Sequence, residues 1–466
     1  MFNAGVEAFM KTMIGKKVAV LGLGVSNLPA LDFLGKCGAV ITACDKNPRD
    51  KFDEQTLSRI DNLCENSYFG DDYLDHLDGH DIILKSPGIN PALPQIAKAK
   101  SEGIEITSEM EIFMALCPCK MIAVTGSDGK TTTTTLIYKI LTEEGYRCHV
   151  GGNIGTPLLG KLDDIYCDDI VVLELSSFQL MNMRVSPHVA VITNLSPNHL
   201  DYHKDMSEYV EAKSQIFRNQ DEHGKLIINR DNAHTAAFEG KQPGSVELFS
   251  RKYDTCEAHL YDGYLYYKDT KIVRAADIRI KGTHNVENYL AAIAATADLV
   301  HPESVAKVAK TFGGVEHRME FVRRVGGIDF YNDSIGSSPT RTIAGLKAHE
   351  GRIVLIAGGK DKNLDYTELG EVIRERVSAL VLTGPTADKI EAAALKAFGN
   401  KITIPVYRAE EYDVLVKAAY AIAKGIKTDR NTVSVILSPA STSFDKFKNF
   451  MERGETYKNL VNELSE

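Results

Sequence analysis

Apolar runs alternate with glycine-rich turns and amphipathic stretches along most of the 466-residue chain. Apolar runs of strand length, each followed by a turn and a helical pattern, are typical of parallel sheets covered by helices, because such strands are buried on both faces. The alternation predicts an α/β fold. A single hydrophobic core stops growing beyond about 250–300 residues, so we expect three domains. We place them at residues 1–108, 109–314 and 315–466.

The predicted strands fall into three runs. In the first run, KKVAVL enters a glycine turn and then a helix from Leu28 to Cys37, and AVITACD and DIILKSPGI follow as the second and third strands. The second run begins near Lys120 with a strand, a loop and a helix, and it continues with the strands DIVVLELSS and VAVITNLS. The third run supplies the strands GRIVLIAGG, SALVLTG and TVSVILSP.

Charge and cysteine content exclude several classes of protein. The chain has 54 Lys and Arg against 63 Asp and Glu, a net charge of −9, so we expect no broad attraction to nucleic acid. Because the sequence has neither a signal-peptide pattern nor an apolar run of membrane-spanning length, we expect a cytoplasmic protein without membrane insertion. Only Cys117 and Cys119 of the eight cysteines are close in sequence, and no zinc-finger spacing accompanies them, so incidental thiols are expected.

A phosphate-binding loop is predicted at residues 125–132, TGSDGKTT, between an apolar strand and a helix. A glycine-rich turn at a helix N-terminus directs backbone N–H groups at one spot, Lys130 adds a positive charge, and Thr131 offers a hydroxyl to phosphate-bound magnesium. The loop departs from the common phosphate-loop pattern, since Val124 stands where the first glycine is usual. The alternative is a lysine-bearing turn that only caps the helix.

Further candidates follow other strands of the second run. Glu174 lies inside an apolar strand, where an unpaired charge is costly, so we expect it to be paired or bound to a metal. His199 and His203 are four residues apart and could face one way as a zinc pair, but no third ligand has zinc spacing. Lys213 by itself has the pattern of a solvent-facing helix lysine. Asn285 and Asn288 share one helical face and would either read the edge of a purine or cap the helix.

Weaker signals lie in the first and third runs. The turn Gly22-Leu-Gly24-Val-Ser-Asn27, with Asp45 ending the second strand, is an incomplete dinucleotide fingerprint because Asn27 replaces the third glycine. In the third run, polar clusters follow the strands at residues 333–334, 358–362 and 438–450. Within these clusters Lys362 and Ser443 are candidates to hold a substrate carboxylate, with ordinary surface loops as the alternative.

As a set, these motifs resemble the Mur ligase superfamily over nearly the whole chain. The motifs that carry the resemblance occur in the family's order and are GLGVS, SPGI, TGSDGKTT, GGNIG, ELSSFQL, ITNLSPNHLD, EAKSQIF, INRDN, GTHNVENYLAA, GGVEHRME, YNDS, AGGKDKN and SPASTSFDKFKNF. ELSSFQL and the last motif are typical of the branch that adds D-glutamate. The resemblance implies an N-terminal Rossmann-like UDP-binding domain, a central P-loop-type ATPase domain with a mostly parallel sheet, and a C-terminal Rossmann-like domain.

The implied activity is an ATP-dependent ligation in cytoplasmic peptidoglycan precursor synthesis. D-Glutamate would be added to UDP-N-acetylmuramoyl-L-alanine through an acyl phosphate and a tetrahedral intermediate, by a monomer that uses two Mg²⁺ ions. The nearest alternative is another Mur-type or folylpolyglutamate-type amino-acid ligase. A nicotinamide-dependent dehydrogenase, resting on the first turn, and a non-catalytic nucleotide-binding regulator are alternatives from other classes.

The resemblance also assigns residues to roles. The implied catalytic residues are Lys130, Glu174, His199 and Lys213. The implied magnesium ligands are Thr131, Glu174, His199 and a carbamoylated Lys213. The implied ATP contacts are Gly126, Ser127, Asp128, Gly129, Lys130, Thr131, Thr132, Asn285, Asn288, Arg318 and Asp333.

Two substrate sites are implied in the same way. The UDP-substrate would contact Val25, Ser26, Asp45, Gly88, Asn153 and His199. D-Glutamate would contact Ser337, Lys362, Ser443 and Phe450. The chain departs from the family at Ile335, where a lysine is usual and for which Arg341 is a candidate replacement, and at Asn198, where an aspartate is common.

Overall fold

The computed structural model describes residues 4–197, 202–362, 364–429 and 431–465, which form three β-sheets flanked by helices. The chain divides into two compact units, Met1–Thr311 and Phe312–Glu466. The first unit contains two of the sheets and the second unit contains the third. The predicted α/β class with mostly parallel sheets is confirmed, whereas the boundaries at residues 108 and 314 stay predictions.

The first sheet is entirely parallel, with the strand order β3-β2-β1-β4-β5. Its elements are α1 (Ala4–Met13), β1 (Lys17–Leu21), α2 (Asn27–Lys36), β2 (Val40–Asp45), α3 (Glu54–Leu63), β3 (Asn66–Phe69), β4 (Ile82–Lys85), α4 (Pro94–Ser101), β5 (Glu105–Thr107) and α5 (Glu109–Leu116). The strand order reverses between β1 and β4, so the turns after these two strands meet at the carboxyl edge, where α/β sheets bind ligands.

The second sheet has nine strands in the order β14-β13-β12-β11-β10-β9-β6-β8-β7. Its elements are β6 (Lys120–Thr125), α6 (Lys130–Glu144), β7 (Cys148–Gly152), β8 (Ile170–Glu174), α7 (Ser177–Leu180), β9 (Val189–Ile192), α8 (Met206–Arg218), β10 (Lys225–Asn229), α9 (Ala233–Ala236), β11 (Ser245–Ser250), β12 (Ala258–Tyr261), β13 (Tyr264–Tyr267), β14 (Thr270–Arg274), α10 (Thr283–Thr296) and α11 (Pro302–Thr311). Strands β12 to β14 pair antiparallel and the others parallel. Strand β6 lies between β8 and β9, so the predicted phosphate loop that follows it is flanked by the ends of these two strands.

The third sheet has the order β15-β16-β20-β17-β18-β19, antiparallel only between β15 and β16. Its elements are β15 (Glu320–Val325), β16 (Ile328–Asn332), α12 (Pro339–Ala348), β17 (Arg352–Gly358), α13 (Thr367–Arg376), β18 (Val377–Thr383), α14 (Ala387–Ala397), β19 (Val406–Arg408), α15 (Tyr412–Ile426), β20 (Val433–Leu437) and α16 (Phe450–Asn462). The three polar clusters predicted at strand ends follow β16, β17 and β20, which are neighbours, so the topology brings them to one edge.

The structure corrects some details of the sequence reading. The segment DIILK is the fourth strand of the first sheet, because the short polar strand β3, NSYF, precedes it. The helix expected from Leu28 to Cys37 runs from Asn27 to Lys36. All eight cysteines lie in the described ranges and are free thiols. Among the described helices, none is long and apolar enough to cross a bilayer.

One buried carboxyl group joins the first sheet's last helix to the segment after β7. Glu109, the first residue of α5, is 4% exposed and accepts a hydrogen bond from the backbone N–H of Leu159 at 3.1 Å. Burial raises the pKa of Glu109 to about 7, although the backbone N–H groups of Leu159 and Leu158 oppose that shift. The folded chain therefore favours the neutral acid.

We expect Glu109→Gln to raise the stability of the protein above neutral pH. A carboxyl group with a raised folded-state pKa contributes stability that is present below its unfolded pKa of about 4.3 and is lost as pH rises through the folded value. The amide still accepts from Leu159 and carries no charge, so the gain is about 2 kcal/mol at pH 8 and shrinks toward pH 5. Thermal denaturation across that range measures it, with the exposed Glu65→Gln as a charge-matched control. Equal melting temperatures for Glu109→Gln and the native chain at pH 8 would contradict the expectation.

Candidate active site

The predicted phosphate loop is a tight turn between β6 and α6. Gly126 and Gly129 have positive φ values of 147° and 76°, a region that L side chains rarely adopt. A Cβ atom at Gly126 would collide with the Thr193 hydroxyl, and one at Gly129 would collide with Oδ1 of Asn288. Gly129 precedes α6 and provides no side-chain cap, which argues against the reading of this loop as a helix cap alone. Both glycines are therefore required by backbone geometry and by space.

The loop is fastened to the segment that follows β9. The backbone N–H of Ser127 donates to the carbonyl of Asn194 at 2.8 Å, and the N–H of Asp128 donates to Oδ1 of Asn194 at 3.0 Å. The Ser127 hydroxyl shares a hydrogen bond with Tyr209 at 3.0 Å, and the Thr193 hydroxyl donates to the Asp128 carbonyl at 2.6 Å. This fastening fixes the loop before any ligand arrives.

Lys130 and the threonines after it occupy the start of α6. The Lys130 ammonium donates to the carbonyls of Gly126 and Ser127 at 3.0 and 2.9 Å, so it lies over the loop. Thr131 is buried and Thr132 half-buried, while the Thr133 hydroxyl donates to Asn288 at 3.3 Å. The first N–H groups of a helix lack acceptors within the helix. Together with the ammonium, they form a site suited to phosphate oxygens.

The two asparagines of α10 support the loop. Asn288 donates from Nδ2 to Oδ1 of Asn285 at 3.1 Å, and Asn285 donates to the Lys281 carbonyl at 2.8 Å. Helix α10 begins at Thr283 after Gly282, so the reading of Asn285 as the helix cap is wrong. Both asparagines are buried, and their amides link α10 to the phosphate loop.

Glu174 and Lys213 lie beside the loop, at the carboxyl end of β6. Glu174, the last residue of β8, is 1% exposed; its Oε1 accepts from Asn153 at 2.7 Å, and its Oε2 has no hydrogen-bond partner among the described residues. Lys213 on α8 is 2% exposed and donates to the Thr125 hydroxyl at 3.1 Å. The reading of Lys213 as a solvent-facing lysine is therefore wrong. An acidic oxygen without a partner in a buried site fits a metal ligand.

The environment of Lys213 favours the neutral amine. Its pKa lies well below the usual value, first because of burial and second because the Lys130 charge is nearby, while Glu174 and Asp128 act in the opposite direction. Its Nζ also lies 5.0 Å from the centre of the Tyr209 ring. A neutral buried amine is a nucleophile, which an ordinary surface lysine is not near neutral pH.

Of the two predicted histidines, only His203 lies among the described residues. His199, with Asn198 and Asp201, lies outside the described residues, so its roles stay predictions. His203 is buried, shares a hydrogen bond with the Ser177 hydroxyl at 2.9 Å, and lies 3.6 Å from a carboxylate oxygen of Glu208. These contacts give His203 a packing role against α7.

The residues predicted for the UDP-substrate divide between two sheets. Val25, 79% exposed, and half-buried Ser26 lie in the turn after β1. Asp45 at the end of β2 accepts from the backbone N–H of Leu23 at 2.6 Å, which ties it to the same turn. Gly88 is exposed and follows the neighbouring strand β4, and a Cβ atom there would meet nothing within 4 Å. Asn153 instead follows β7 of the second sheet, where its side chain is bonded to Glu174.

The incomplete fingerprint of the first turn has a structural explanation. Asn27 stands where the third glycine is usual, and its Nδ2 donates to the carbonyls of Leu21 and Gly22, both at 3.0 Å. These two bonds hold the turn closed through the Asn27 side chain. In a dinucleotide fingerprint a glycine stands at this position and lets the helix pack closely against the strand. This turn is therefore built differently from a dinucleotide-binding turn.

In the second unit, Asp333 follows β16 and is buried. Its carboxylate accepts from the Ser438 hydroxyl at 2.6 Å and from the backbone N–H of Met319 at 3.2 Å. Burial raises the pKa of Asp333 to about 6, and the nearby charges of Arg318 and Arg341 act against that shift. The guanidinium of Arg341 also donates to the carbonyl of Ile335 at 3.4 Å. Two exposed arginines thus approach one buried carboxyl group.

The residues predicted for D-glutamate lie on loops that are bonded to one another. The Ala440 N–H donates to the Gly336 carbonyl at 2.8 Å, next to half-buried Ser337, and the Lys360 N–H donates to the Thr442 carbonyl at 2.9 Å, next to buried Ser443. These bonds bring the loops after β16, β17 and β20 into a single surface. On that surface Lys362 is exposed, and its ammonium lies 5.9 Å from the centre of the Phe444 ring.

Phe450 lies at the start of α16, where its backbone carbonyl accepts from the Ser334 hydroxyl at 2.7 Å. The motif analysis did not identify Arg453, one turn further along this helix. Arg453 is 1% exposed and donates to Ser334 Oγ, the Ser334 carbonyl and the Ser441 carbonyl at 3.0, 2.9 and 3.1 Å. Its guanidinium joins the loops after β16 and β20. A charged residue in a polar segment carries no sequence signal of such burial.

Comparison with known proteins adds to this geometry. Residues 16–108 match the MurD-like N-terminal domain of Mur ligases, residues 124–296 match the Mur ligase middle domain, and residues 317–438 match the Mur ligase glutamate ligase domain. The UDP-N-acetylmuramoylalanine–D-glutamate ligase of Ruminiclostridium cellulolyticum is 48% identical over 99% of this chain and 100% of its own. The ligase of the same name from Acetivibrio thermocellus is 50% identical over 99% of each chain.

The chain belongs to the Mur ligase family. Two solved Mur ligase structures share its fold. MurC from Thermotoga maritima, a UDP-N-acetylmuramate–alanine ligase, has a TM-score of 0.54 at 18% identity and covers 96% of this chain and 99% of its own. MurF from Acinetobacter baumannii has a TM-score of 0.57 at 18% identity, with coverage of 83% and 92%. At 18% sequence identity, these two comparisons show a common fold.

We expect Gly129→Ala in this Mur ligase to weaken ATP binding at least about tenfold, because the new methyl group displaces Asn288 and distorts the phosphate loop. Gly145→Ala at the other end of α6 is the matched control, since Gly145 also has a positive φ but a Cβ atom there meets nothing within 4 Å. Calorimetric titration with ATP and Mg²⁺ measures the effect. Both variants should lose stability, and equal ATP affinity in the two would contradict the role of the loop.

Proposed function

We propose that this chain joins D-glutamate to UDP-N-acetylmuramoyl-L-alanine with cleavage of ATP to ADP and phosphate, in peptidoglycan precursor synthesis. The observation that carries the proposal is the 48–50% identity, over nearly full length, with ligases named for that reaction. The geometry supports it, since a phosphate loop, a partnerless buried carboxylate oxygen and a buried lysine converge at one sheet edge. We further propose a cytoplasmic monomer that needs neither nucleic acid nor membrane.

The reaction proceeds in two steps. A carboxylate oxygen of the alanine attacks the γ-phosphorus of ATP, a P–O bond forms, ADP leaves, and an acyl phosphate results. The amine of D-glutamate then attacks the acyl carbon, giving a tetrahedral intermediate that loses a proton and expels phosphate, which leaves the amide. Both steps bring anions together, so positive charge and backbone N–H groups must lie where charge collects. Lys130 and the first N–H groups of α6, those of residues 130–132, supply both.

The donor set fits magnesium. Glu174 presents an unpartnered carboxylate oxygen and Thr131 a hydroxyl, and hard oxygen ligands of this kind are the ones Mg²⁺ prefers. When bound, two Mg²⁺ ions would neutralise the phosphate charge during transfer. We assign Thr131, Glu174, His199 and Lys213, the last as its carbamate, to hold them.

The carbamate on Lys213 would form by addition of its amine to CO₂. The lone pair of the neutral amine attacks the carbon of CO₂, an N–C bond forms, one C=O π-bond opens, and the amine loses a proton to water. The low pKa of Lys213 keeps the amine neutral and supports this step. The product would be an anionic oxygen ligand in place of a neutral amine, and its negative charge would be attracted to the nearby Lys130 ammonium.

The remaining contacts are assigned by domain. We propose that residues 1–108 bind the UDP end through Val25, Ser26, Asp45 and Gly88, that residues 109–314 bind ATP and metal, and that residues 315–466 bind D-glutamate. Asn153 and His199 would contact the substrate near the reacting carboxylate. Asn285, Asn288, Arg318 and Asp333 would contact ATP, with Arg341 as the added positive charge near Asp333. Ser337, Lys362, Ser443 and Phe450 would contact D-glutamate.

We expect phosphate release from ATP and Mg²⁺ to require both UDP-N-acetylmuramoyl-L-alanine and D-glutamate. The assay compares D-glutamate with L-glutamate, D-alanine, L-lysine and no amino acid. Release with a different amino acid would move the chain to another ligase activity. No release with any of them would leave a nucleotide-binding protein, and binding of NADH would favour a dehydrogenase.

We expect Lys213→Ala to reduce turnover by about a thousandfold or more, because removing a ligand that acts in the transition state lowers kcat. Lys213→Arg should be equally inactive, since a guanidinium cannot become a carbamate. Removal of CO₂ from the buffers should inactivate the native chain reversibly, whereas Lys139→Ala, a surface variant of α6, should remain active. Near-normal turnover of Lys213→Ala would show that the carbamate is not needed.

A further inference from the structure

A second buried lysine lies in the first unit, away from the phosphate loop. Lys85 is the last residue of β4, which lies between β1 and the edge strand β5 of the first sheet, and is 5% exposed. Within the described residues, its ammonium makes one hydrogen bond, a 3.4 Å contact with the carbonyl of the adjacent Ser86. Burial alone lowers the pKa of Lys85 to about 8. An unpaired ammonium in such a place is unfavourable unless something outside the folded chain completes its hydrogen bonds.

Lys85 lines a small cavity of about 20 Å³, with a largely apolar lining, between the first sheet and α7. Its lining includes Lys85, Thr107, Glu111, Gln179 and Asn182. A space of this size holds about one water-sized group, such as a single oxygen atom of a larger ligand. The cavity is therefore suited to one oxygen and is mostly lined by neutral groups.

The acidic residue in this lining already has hydrogen-bond partners for both of its carboxylate oxygens. Glu111 accepts from the backbone N–H and Nε of Arg184 at 3.0 and 2.9 Å, and its second oxygen accepts from the Thr107 hydroxyl at 3.0 Å. Arg184 also donates from Nη2 to the carboxylate of Glu105 at 3.1 Å. No ion pair joins Lys85 to Glu111 among the described residues. The positive charge of Lys85 therefore remains uncompensated by the protein.

The position of the cavity indicates which ligand reaches it. On one side, the loop Ser86–Gly88 follows Lys85, and the Ser86 N–H donates to the Leu21 carbonyl at 2.8 Å, beside the turn after β1. On the other side, Gln179 and Asn182 lie just beyond Glu174 along the chain. The cavity thus lies between the residues proposed for the UDP end and the strand that ends in Glu174. A substrate that extends from one to the other passes over it.

We infer that Lys85 binds an anionic oxygen of the diphosphate of the UDP-substrate. This inference rests on the proposed function for the identity of the substrate. Lys85 then acts in ground-state binding, because it lies in the first sheet and not beside the phosphate loop. Its loss should raise the KM for the UDP-substrate and leave kcat little changed.

The first test compares Lys85→Met with the native chain. Methionine keeps most of the side-chain volume and removes the charge, so the variant should melt at the same temperature or higher. Affinity for UDP-N-acetylmuramoyl-L-alanine, measured by calorimetry without ATP, should fall about 10- to 100-fold, the usual effect of losing a hydrogen bond to a charged group. Lys98→Met, which removes an exposed lysine paired with Asp78 in the same sheet region, is the matched control and should bind normally.

Two further ligands distinguish the source of the oxygen. UDP and UDP-N-acetylglucosamine carry the diphosphate without the terminal carboxylate. If Lys85→Met weakens all three ligands alike, Lys85 binds the diphosphate; if it weakens only the full substrate, Lys85 does not bind the diphosphate and the inference is overturned. Equal affinity of Lys85→Met and the native chain for all three would overturn the inference.

A pH series provides a test that uses the folded native chain alone. Native affinity for the UDP-substrate should fall as pH rises above about 8, because the ammonium loses its proton, while Lys85→Met should show no such change. Glu111, paired with Arg184, is the other titratable group in the cavity lining. A flat native profile would overturn the inference. If the native chain binds no UDP compound and releases no phosphate, it is instead the proposed function that fails.

Discussion

The fastening of the phosphate loop to the chain after β9 is the interaction on which the site depends. Gly126 and Gly129 leave no space between the loop and its neighbours, and Ser127 and Asp128 bond directly to Asn194. The loop is therefore rigid before a nucleotide binds, which lowers the entropy lost on binding. The same packing places Lys130, Thr125 and Lys213 close together, so the proposed nucleotide site and the proposed metal site are parts of one arrangement.

The candidate sites also share buried ionisable side chains. Glu174, Lys213, Asp333, Arg453 and Lys85 are each at least nine-tenths buried. Arg453 satisfies its donors with Ser334 and Ser441 and so has a structural role, whereas Glu174 and Lys85 keep groups that the protein itself leaves without strong partners. Charged groups left in this way are costly to the fold and are retained where a ligand completes them.

The parallel topology explains why distant motifs converge. Each sheet has its candidate residues at the carboxyl ends of neighbouring central strands, as in the turns after β1 and β4 and the loops after β16, β17 and β20. Right-handed crossovers bring successive strand ends to one edge, so short polar segments far apart in sequence become a single surface. Small changes in these loops can alter substrate preference without altering the sheets, which agrees with the shared fold of Mur ligases at 18% identity.

The sequence alone determined the α/β class, nine of the twenty strands in the described structure and the glycine-rich turn of the predicted phosphate loop, because these depend on local periodicity and on glycines that a tight turn requires. It missed β3, whose polar residues carry no strand pattern, and it assigned Lys213 to solvent, because a lysine in an amphipathic helix has the same local pattern whether its end is buried or not. Only the tertiary structure placed Lys213 against Thr125, Arg453 between two loops and Lys85 in its cavity. The physical reason is that burial and charge pairing are set by neighbours far away in sequence, whereas periodicity and turn geometry are set by adjacent residues.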